Sequence, residues 1–333
     1  MNTSIDNKVS NSLYVLRAFA IGCVVFAHCG TVDDATLEIS YFCSNYIRSL
    51  FTACGVSTFM ILSGFFFFFE TNPFRQFVFK KIKNLVFPWI LTGIIVYLYE
   101  ALRKGGDIIE GIAFVFGYGS YLWYMTVLFA LYIIFFFGRK SKWFLRVIPF
   151  VSIASYILNP LFYSVVDIRE IRYLNFVNWA LFFWIGFILA KYGLLERLII
   201  HMKKYGIIYL FIYFLCIAAK LCFSLDINYW CIYYAPYTLI AFPVFLWLSY
   251  LIRDCVFLVD VGKDSFCIYL IHLPVAGVLN AVFQKVAFIW PLVFACPIIV
   301  VVICEAFIWV YKKIANKLPE KISKIMKMCI GLR

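Results

Sequence analysis

The sequence predicts an all-α integral membrane protein, a bundle of about ten transmembrane helices with both termini in the cytoplasm. Composition points there first: 65% of the residues are hydrophobic, 21% aromatic and only 14% charged, and a soluble domain of 333 residues cannot hide that much apolar surface. Apolar runs recur along nearly the whole chain, each long enough to cross ~30 Å of hydrocarbon at 1.5 Å per helical residue. Backbone polar groups in lipid must be satisfied within their own segment. The runs are uniformly apolar rather than alternating, so helices are favoured over a β-barrel.

In chain order the predicted spans are Leu13 to Cys29, Phe51 to Phe69, Asn84 to Ala101, Tyr121 to Phe137, Trp143 to Tyr163, Leu174 to Tyr192, Tyr205 to Ser224, Tyr229 to Leu251, Ser265 to Phe283 and Phe288 to Tyr311. The fifth is the least regular, because it carries Arg146, Pro149 and Pro160. The stretch from Gly111 to Gly119 is apolar but too short to span, and reads as a re-entrant or interfacial segment. A single membrane domain over residues 1–333 follows, ending in a basic tail over 312–333 with no further catalytic module.

Orientation comes from the cations, because basic loops are retained in the cytoplasm. Of the 30 lysines and arginines, 21 fall on the side of the two termini, six (Arg48, Arg103, Lys104, Arg169, Arg172 and Lys285) on the other, and three (Arg17, Arg146 and Lys220) inside spans. This asymmetry predicts an even number of spans. The net charge of +13 is then mostly a topology signal, with the basic tail held against anionic headgroups, and nucleic acid is not indicated. The twelve cysteines are scattered without metal-ligand spacing, so neither a metal nor a disulfide is expected. Arg17 interrupts the first run and no small-residue cleavage pattern follows His28, so that run reads as a span rather than a signal peptide.

Function is sought in the polar groups that sit in lipid at a cost. Arg17 and His28 are eleven residues apart, which returns them to within ~20° of one helix face and separates them by roughly 16 Å along the axis. The chain has three histidines: His28 and His272 lie in predicted spans, and His201 lies in a loop. A neutral imidazole takes a proton from a hydroxyl near pH 7, which makes a cavity-lining histidine a candidate general base. The competing reading is a histidine that only hydrogen-bonds a neighbouring helix.

Several strings resemble the acyltransferase family 3 of integral membrane acyltransferases. They are Leu13 to Ile21 (LYVLRAFAI) with His28 following Arg17 after ten intervening residues, Phe59 to Phe65 (FMILSGF), Phe79 to Pro88 (FKKIKNLVFP), Leu122 to Met125 (LWYM) and Ser265 to Pro274 (SFCIYLIHLP). Each string alone is weak; their order and spacing carry the resemblance, which runs almost end to end. The basic element here has Lys80, Lys81 and Lys83 where many members carry arginine, so bidentate phosphate contacts do not transfer.

The resemblance implies an O-acyltransferase of a bacterial inner membrane. It would move acetyl from cytoplasmic acetyl-CoA, a co-substrate rather than a permanently bound cofactor, to a hydroxyl of a surface glycan such as an O-antigen, a capsule or a related lipid-linked saccharide. It makes His28 and Arg17 the expected catalytic residues, and Lys80, Lys81, Lys83 and Arg75 the expected donor-binding cations. His272, Tyr269 and Ser63 are expected to align the acceptor or stabilise the oxyanion, with Trp123 beside them. Ser63 with Gly64 reads equally well as a packing notch between helices, and the lysines equally well as the positive-inside signal. A transporter or flippase of a lipid-linked saccharide is the alternative. It predicts broken helices repeated in the two halves, and no convincing repeat is found.

Overall fold

The computed structural model describes residues 7–29, 55–165, 169–223, 225, 229, 231–283 and 291–332. Thirteen α-helices follow one another, with no strand among the described residues. They are α1 (Asn7–His28), α2 (Gly55–Phe68), α3 (Phe74–Lys81), α4 (Phe87–Lys104), α5 (Ile108–Val115), α6 (Trp123–Gly138), α7 (Lys142–Val165), α8 (Phe176–Lys191), α9 (Leu194–Cys222), α10 (Tyr234–Leu251), α11 (Val256–Phe283), α12 (Pro291–Ala315) and α13 (Glu320–Cys329). Seven stretches are long and apolar enough to cross a membrane: Asn7–His28, Phe74–Arg103, Lys142–Leu161, Leu194–Cys222, Tyr234–Leu251, Val256–Val282 and Ala295–Ala315. Gly55–Phe68, Trp123–Gly138 and Phe176–Lys191 are apolar but shorter. The expected starts of the second and tenth spans, at Phe51 and Phe288, lie outside the described residues.

Four elements gain detail beyond the sequence reading. Helix already precedes the expected start of the third span at Asn84, because α3 runs without a break through the π-turn Ile82–Val86 into α4. Pro88 supplies no N–H, and the ladder widens just before it. The irregular fifth span is one continuous helix. Pro149 removes the N–H that would have bonded the Leu145 carbonyl, and the Trp184 indole Nε1 donates to that carbonyl instead at 2.7 Å. The tail is not featureless either: Lys312 and Lys313 end α12, and residues beyond Pro319 form α13, where Ile322, Ile325 and Met326 recur at helical spacing between lysines. The segment read as too short to span contains the two-turn α5, capped by a reciprocal Asp107–Glu110 box.

The described residues group into two compact units. The first holds α1, nearly all of α9, α11, α12 and most of α10. Its centre is α1, which buries Leu13, Val15, Leu16, Ala20, Ile21, Cys23 and Val25 around most of its circumference. A helix apolar on all sides stays inside. It packs along α11 and also touches α12. The approach is closest at Gly262, where an added Cβ would lie 1.9 Å from the Tyr14 carbonyl oxygen. Farther round, Gly206 of α9 gives the Trp247 ring its seat, and Phe245 of α10 meets Phe19 at 5.8 Å between ring centroids.

The second unit holds α3 to α8, most of α2, and α13. Here α2 and α8 meet through two glycines facing opposite ways: a Cβ on Gly64 would lie 1.9 Å from the Phe183 carbonyl oxygen, and one on Gly186 would lie 1.7 Å from that of Ile61. In lipid there is no hydrophobic force between helices, so contact of this kind is what holds them. Rings fill the space beside it, with Phe183 at 4.6 Å from Phe135 and 5.5 Å from Tyr132. Between α7 and α8 the glue is polar. Ser155 Oγ donates to Asn178 Oδ1 at 2.8 Å, and Asn175 Nδ2 donates to Ser155 Oγ at 3.1 Å and to Asn159 Oδ1 at 3.2 Å.

The paired notch makes a sharp comparison. Gly186→Ala should lower stability by about 1–3 kcal/mol through overpacking against backbone, whereas Gly277→Ala on α11, with nothing within 4 Å of the added Cβ, should be neutral or slightly stabilising. Thermal unfolding of the detergent-solubilised variants checks both.

Candidate functional site

Two groups of the expected residues are gathered by the fold, one in each unit. In the first unit, α1 ends at His28, and its packing along α11 brings that imidazole onto His272, with ring centroids 5.3 Å apart and planes inclined by 48°. The two rings differ in access: His272 is fully buried, while His28 is exposed with respect to the described residues. His272 Nδ1 lies 2.7 Å from the carbonyl oxygen of Tyr269, one helical turn back. A carbonyl only accepts, so that nitrogen carries the hydrogen and Nε2 is left as the acceptor. The Tyr269 ring, also buried, lies 5.8 Å from that of His272.

The local sequence explains the placement. Pro274 cannot donate to the carbonyl of residue 270, which loosens the ladder in the turn that holds His272. Arg17 is half-buried on the same α1, eleven residues before His28 and on the same side of the helix. Near the other end of this unit, Asp264 is buried and paired with Lys312. Glu305 lies in the field of Asp264, Lys312 and Asp260.

In the second unit, the cations expected to bind the donor sort into two kinds. Lys80 is engaged by Glu70 at 3.3 Å, and Lys81 lies over the Tyr132 ring, 3.6 Å from its centroid, with the Phe77 ring at 5.5 Å. Arg75 and Lys83 are exposed and form no ion pair with any described residue. Positive charge without an internal counter-ion is what an incoming polyphosphate needs. Lys81, matched by the family string, is therefore held against aromatic faces, which is cation–π geometry.

Glu70 organises this corner. Its carboxylate takes the Asn72 backbone N–H at 3.2 Å and the Asn72 side-chain amide at 2.6 Å, besides Lys80. Burial pushes the carboxyl up, but the Asn72 N–H and Lys80 outweigh it and hold Glu70 below its ordinary value. The Glu70 carbonyl accepts from Arg139, whose guanidinium sits 4.7 Å from the Phe136 ring and 5.1 Å from the Phe67 ring. Sequence reasoning counted Arg139 only as a loop cation and passed over Glu70. The available signal was an acid directly after the second apolar run, followed by Asn72 and Pro73.

Ser63 is half-buried next to the Gly64 notch. Trp123 is packed among Trp179 at 5.1 Å, Tyr173 at 5.7 Å and Tyr229 at 5.9 Å. Its indole is 9% exposed, so packing takes most of the ring.

The Glu70 clamp has a pH signature. A carboxylate with a depressed folded-state value adds stability above its unfolded value of about 4.5 that is lost as pH falls through the lower folded value. Glu70→Gln should therefore melt below wild type at neutral pH, and the two melting curves should converge as the medium is acidified below pH 4.5. A gap of constant size across that range would mean that charge is not what Glu70 contributes.

No curated protein and no solved structure matches the chain in a search of either. The family model described as Acyltransferase domain (Acyl_transf_3) matches residues 10–310, from within α1 to near the end of α12, and so takes in His28, His272, both glycine notches and the whole basic corner. The chain belongs to acyltransferase family 3 and is a multi-pass membrane acyltransferase.

Proposed function

We propose that the protein is an O-acetyltransferase of a bacterial inner membrane, moving acetyl from cytoplasmic acetyl-CoA to a hydroxyl of a surface glycan or its lipid-linked precursor. The observation that carries this reading is the accessible His28 imidazole set against buried His272 at the end of α1. In this reading ten spans leave both termini in the cytoplasm, and the three shorter apolar helices complete the count. The chain acts as one functional domain over 1–333.

His28 removes the proton of the acceptor hydroxyl as the oxygen attacks the thioester carbonyl. The carbon–sulfur bond then breaks, and the CoA thiolate leaves with the proton returned from the imidazolium. Transfer is either direct or through a transient acyl-enzyme. Arg17, on the same side of α1, meets a donor phosphate or polarises the thioester. Tyr269 and His272 border the acceptor or the oxyanion, and Ser63 and Trp123 are further residues proposed to serve the acceptor.

Counter-charge for the donor phosphates comes chiefly from Lys83 and Arg75, a reading supported by their forming no ion pair among the described residues, with Lys80 and Lys81 lending field from their fixed positions. Loss of Lys83 or Arg75 should raise the KM for acetyl-CoA several-fold at low salt with a small effect on kcat, and the difference should shrink as salt screens it. A kcat loss at unchanged KM would assign those cations elsewhere.

The reading is tested by mass spectrometry and proton NMR of the surface glycan from cells lacking the protein and from cells complemented with wild type or His28→Ala. An acetyl mass increment per repeat and an acetyl methyl resonance should appear with wild type alone. Identical acylation in all three strains would remove this glycan as the acceptor, and loss of the glycan from the surface altogether would point to transport.

A further inference from the structure

We infer that His272 is a positioning residue for His28, so that the two imidazoles work as a dyad in which the buried ring fixes the orientation and tautomer of the exposed one. This deepens the reading of His28 as the general base and rests on it. The geometry points to the dyad through three independent features. The rings are neighbours, at 5.3 Å between centroids. His272 is held in place by its complete burial. Its tautomer is set from behind by the Tyr269 carbonyl, 2.7 Å from Nδ1, so the ring offers the neighbouring imidazole an acceptor nitrogen and no donor there.

That difference has a chemical consequence. A general base must present a lone pair to the substrate hydroxyl, which a neutral imidazole does from only one of its two nitrogens. A neighbour that accepts a hydrogen bond draws the His28 N–H toward itself and turns the lone pair outward, the service that a buried carboxylate performs for histidine in a Ser-His-Asp triad. When His28 takes the acceptor proton, an N–H turned toward His272 Nε2 forms a charge-assisted hydrogen bond that holds the imidazolium. The proton then passes to the departing CoA thiolate, and the pair returns to its starting state with no net gain or loss. A second neutral imidazole suits this place in lipid better than a carboxylate, because it adds no formal charge to a buried site.

The dyad predicts a difference between two amide substitutions. Glutamine carries its amide at about the reach of imidazole Nε2, the atom that acts here, whereas asparagine reaches only as far as Nδ1. Membrane vesicles holding the full chain, wild type or variant, at matched levels are incubated with acetyl-CoA labelled in its acetyl group over a range of concentrations. Label entering the glycan fraction is then counted.

His272→Asn and His272→Leu should lower the maximal rate at least about tenfold with the KM for acetyl-CoA within about twofold of wild type, while His272→Gln should keep most of the activity. In a His28→Ala background His272→Asn should cost nothing further, since the two residues act as one. Equal loss in the glutamine and asparagine variants, full activity in His272→Leu, or a change carried by KM would each overturn the dyad while leaving His28 as base. Should His272→Leu fail to accumulate, the glutamine and asparagine pair and the double variant decide the matter. If wild type incorporates no label, or His28→Ala incorporates as much as wild type, the acetyl-transfer reading itself falls, and the dyad with it.

Discussion

The structure depends on how closely α1 can lie against α11. Lipid tails are as apolar as the leucines and phenylalanines that face them, so burial of apolar surface gives these helices no reason to associate. What remains is van der Waals contact and hydrogen bonding at short range. Gly262 supplies the contact by letting α11 come down on the backbone of α1 at Tyr14. The same helix pair, farther along, carries the two histidine rings. A side chain at 262 would push the helices apart and open the gap between the imidazoles, so an interhelical spacing set at a glycine with no chemistry controls the one with chemistry.

The second unit solves the same problem with different means. Its glycines 64 and 186 seat α2 and α8 on each other's carbonyls. Its prolines, which ought to weaken α7, are tolerated because an indole N–H takes over a carbonyl that Pro149 leaves without its usual donor. The aromatic content that marked the composition has a distinct use at the basic corner. Rings of Tyr132, Phe77, Phe67 and Phe136 hold Lys81 and Arg139 by their faces, which fixes cations where carboxylates are few. Glu70 is the exception, and it organises its neighbours by accepting from Asn72 and Lys80 through its carboxylate and from Arg139 through its carbonyl.

Membership of acyltransferase family 3 gives the chemistry its class, and the residues give it a form. An exposed imidazole backed by a buried one is suited to moving a single proton, which is what transfer of an acyl group to a hydroxyl requires. On the proposed reading, the basic corner anchors the charged donor and takes no part in bond making. Lys80 and Lys81 are occupied within the fold, while Arg75 and Lys83 form no ion pair among the described residues. Equal counting of four cations would have missed that division of labour.

The sequence by itself determined that the chain is helical and lives in lipid, because uniformly apolar runs of that length have no other stable backbone solution. It also placed Arg17 and His28 on one face, since helical period is a local property, and its motif order identified the family. Tertiary structure alone decided which partners those faces meet. Nothing in the spacing of His28 and His272, on the first helix and the eleventh, says that their rings touch. Nothing in the run of lysines after Phe79 says which will be bound by Glu70 or Tyr132. The helix ahead of the third span also escaped sequence reading, because a π-turn before Pro88 carries it through a stretch whose charges look like a loop. Periodicity fixes the direction a side chain takes from its own axis; the neighbour it finds is set by contacts between helices at glycines whose role appears only when the backbones meet.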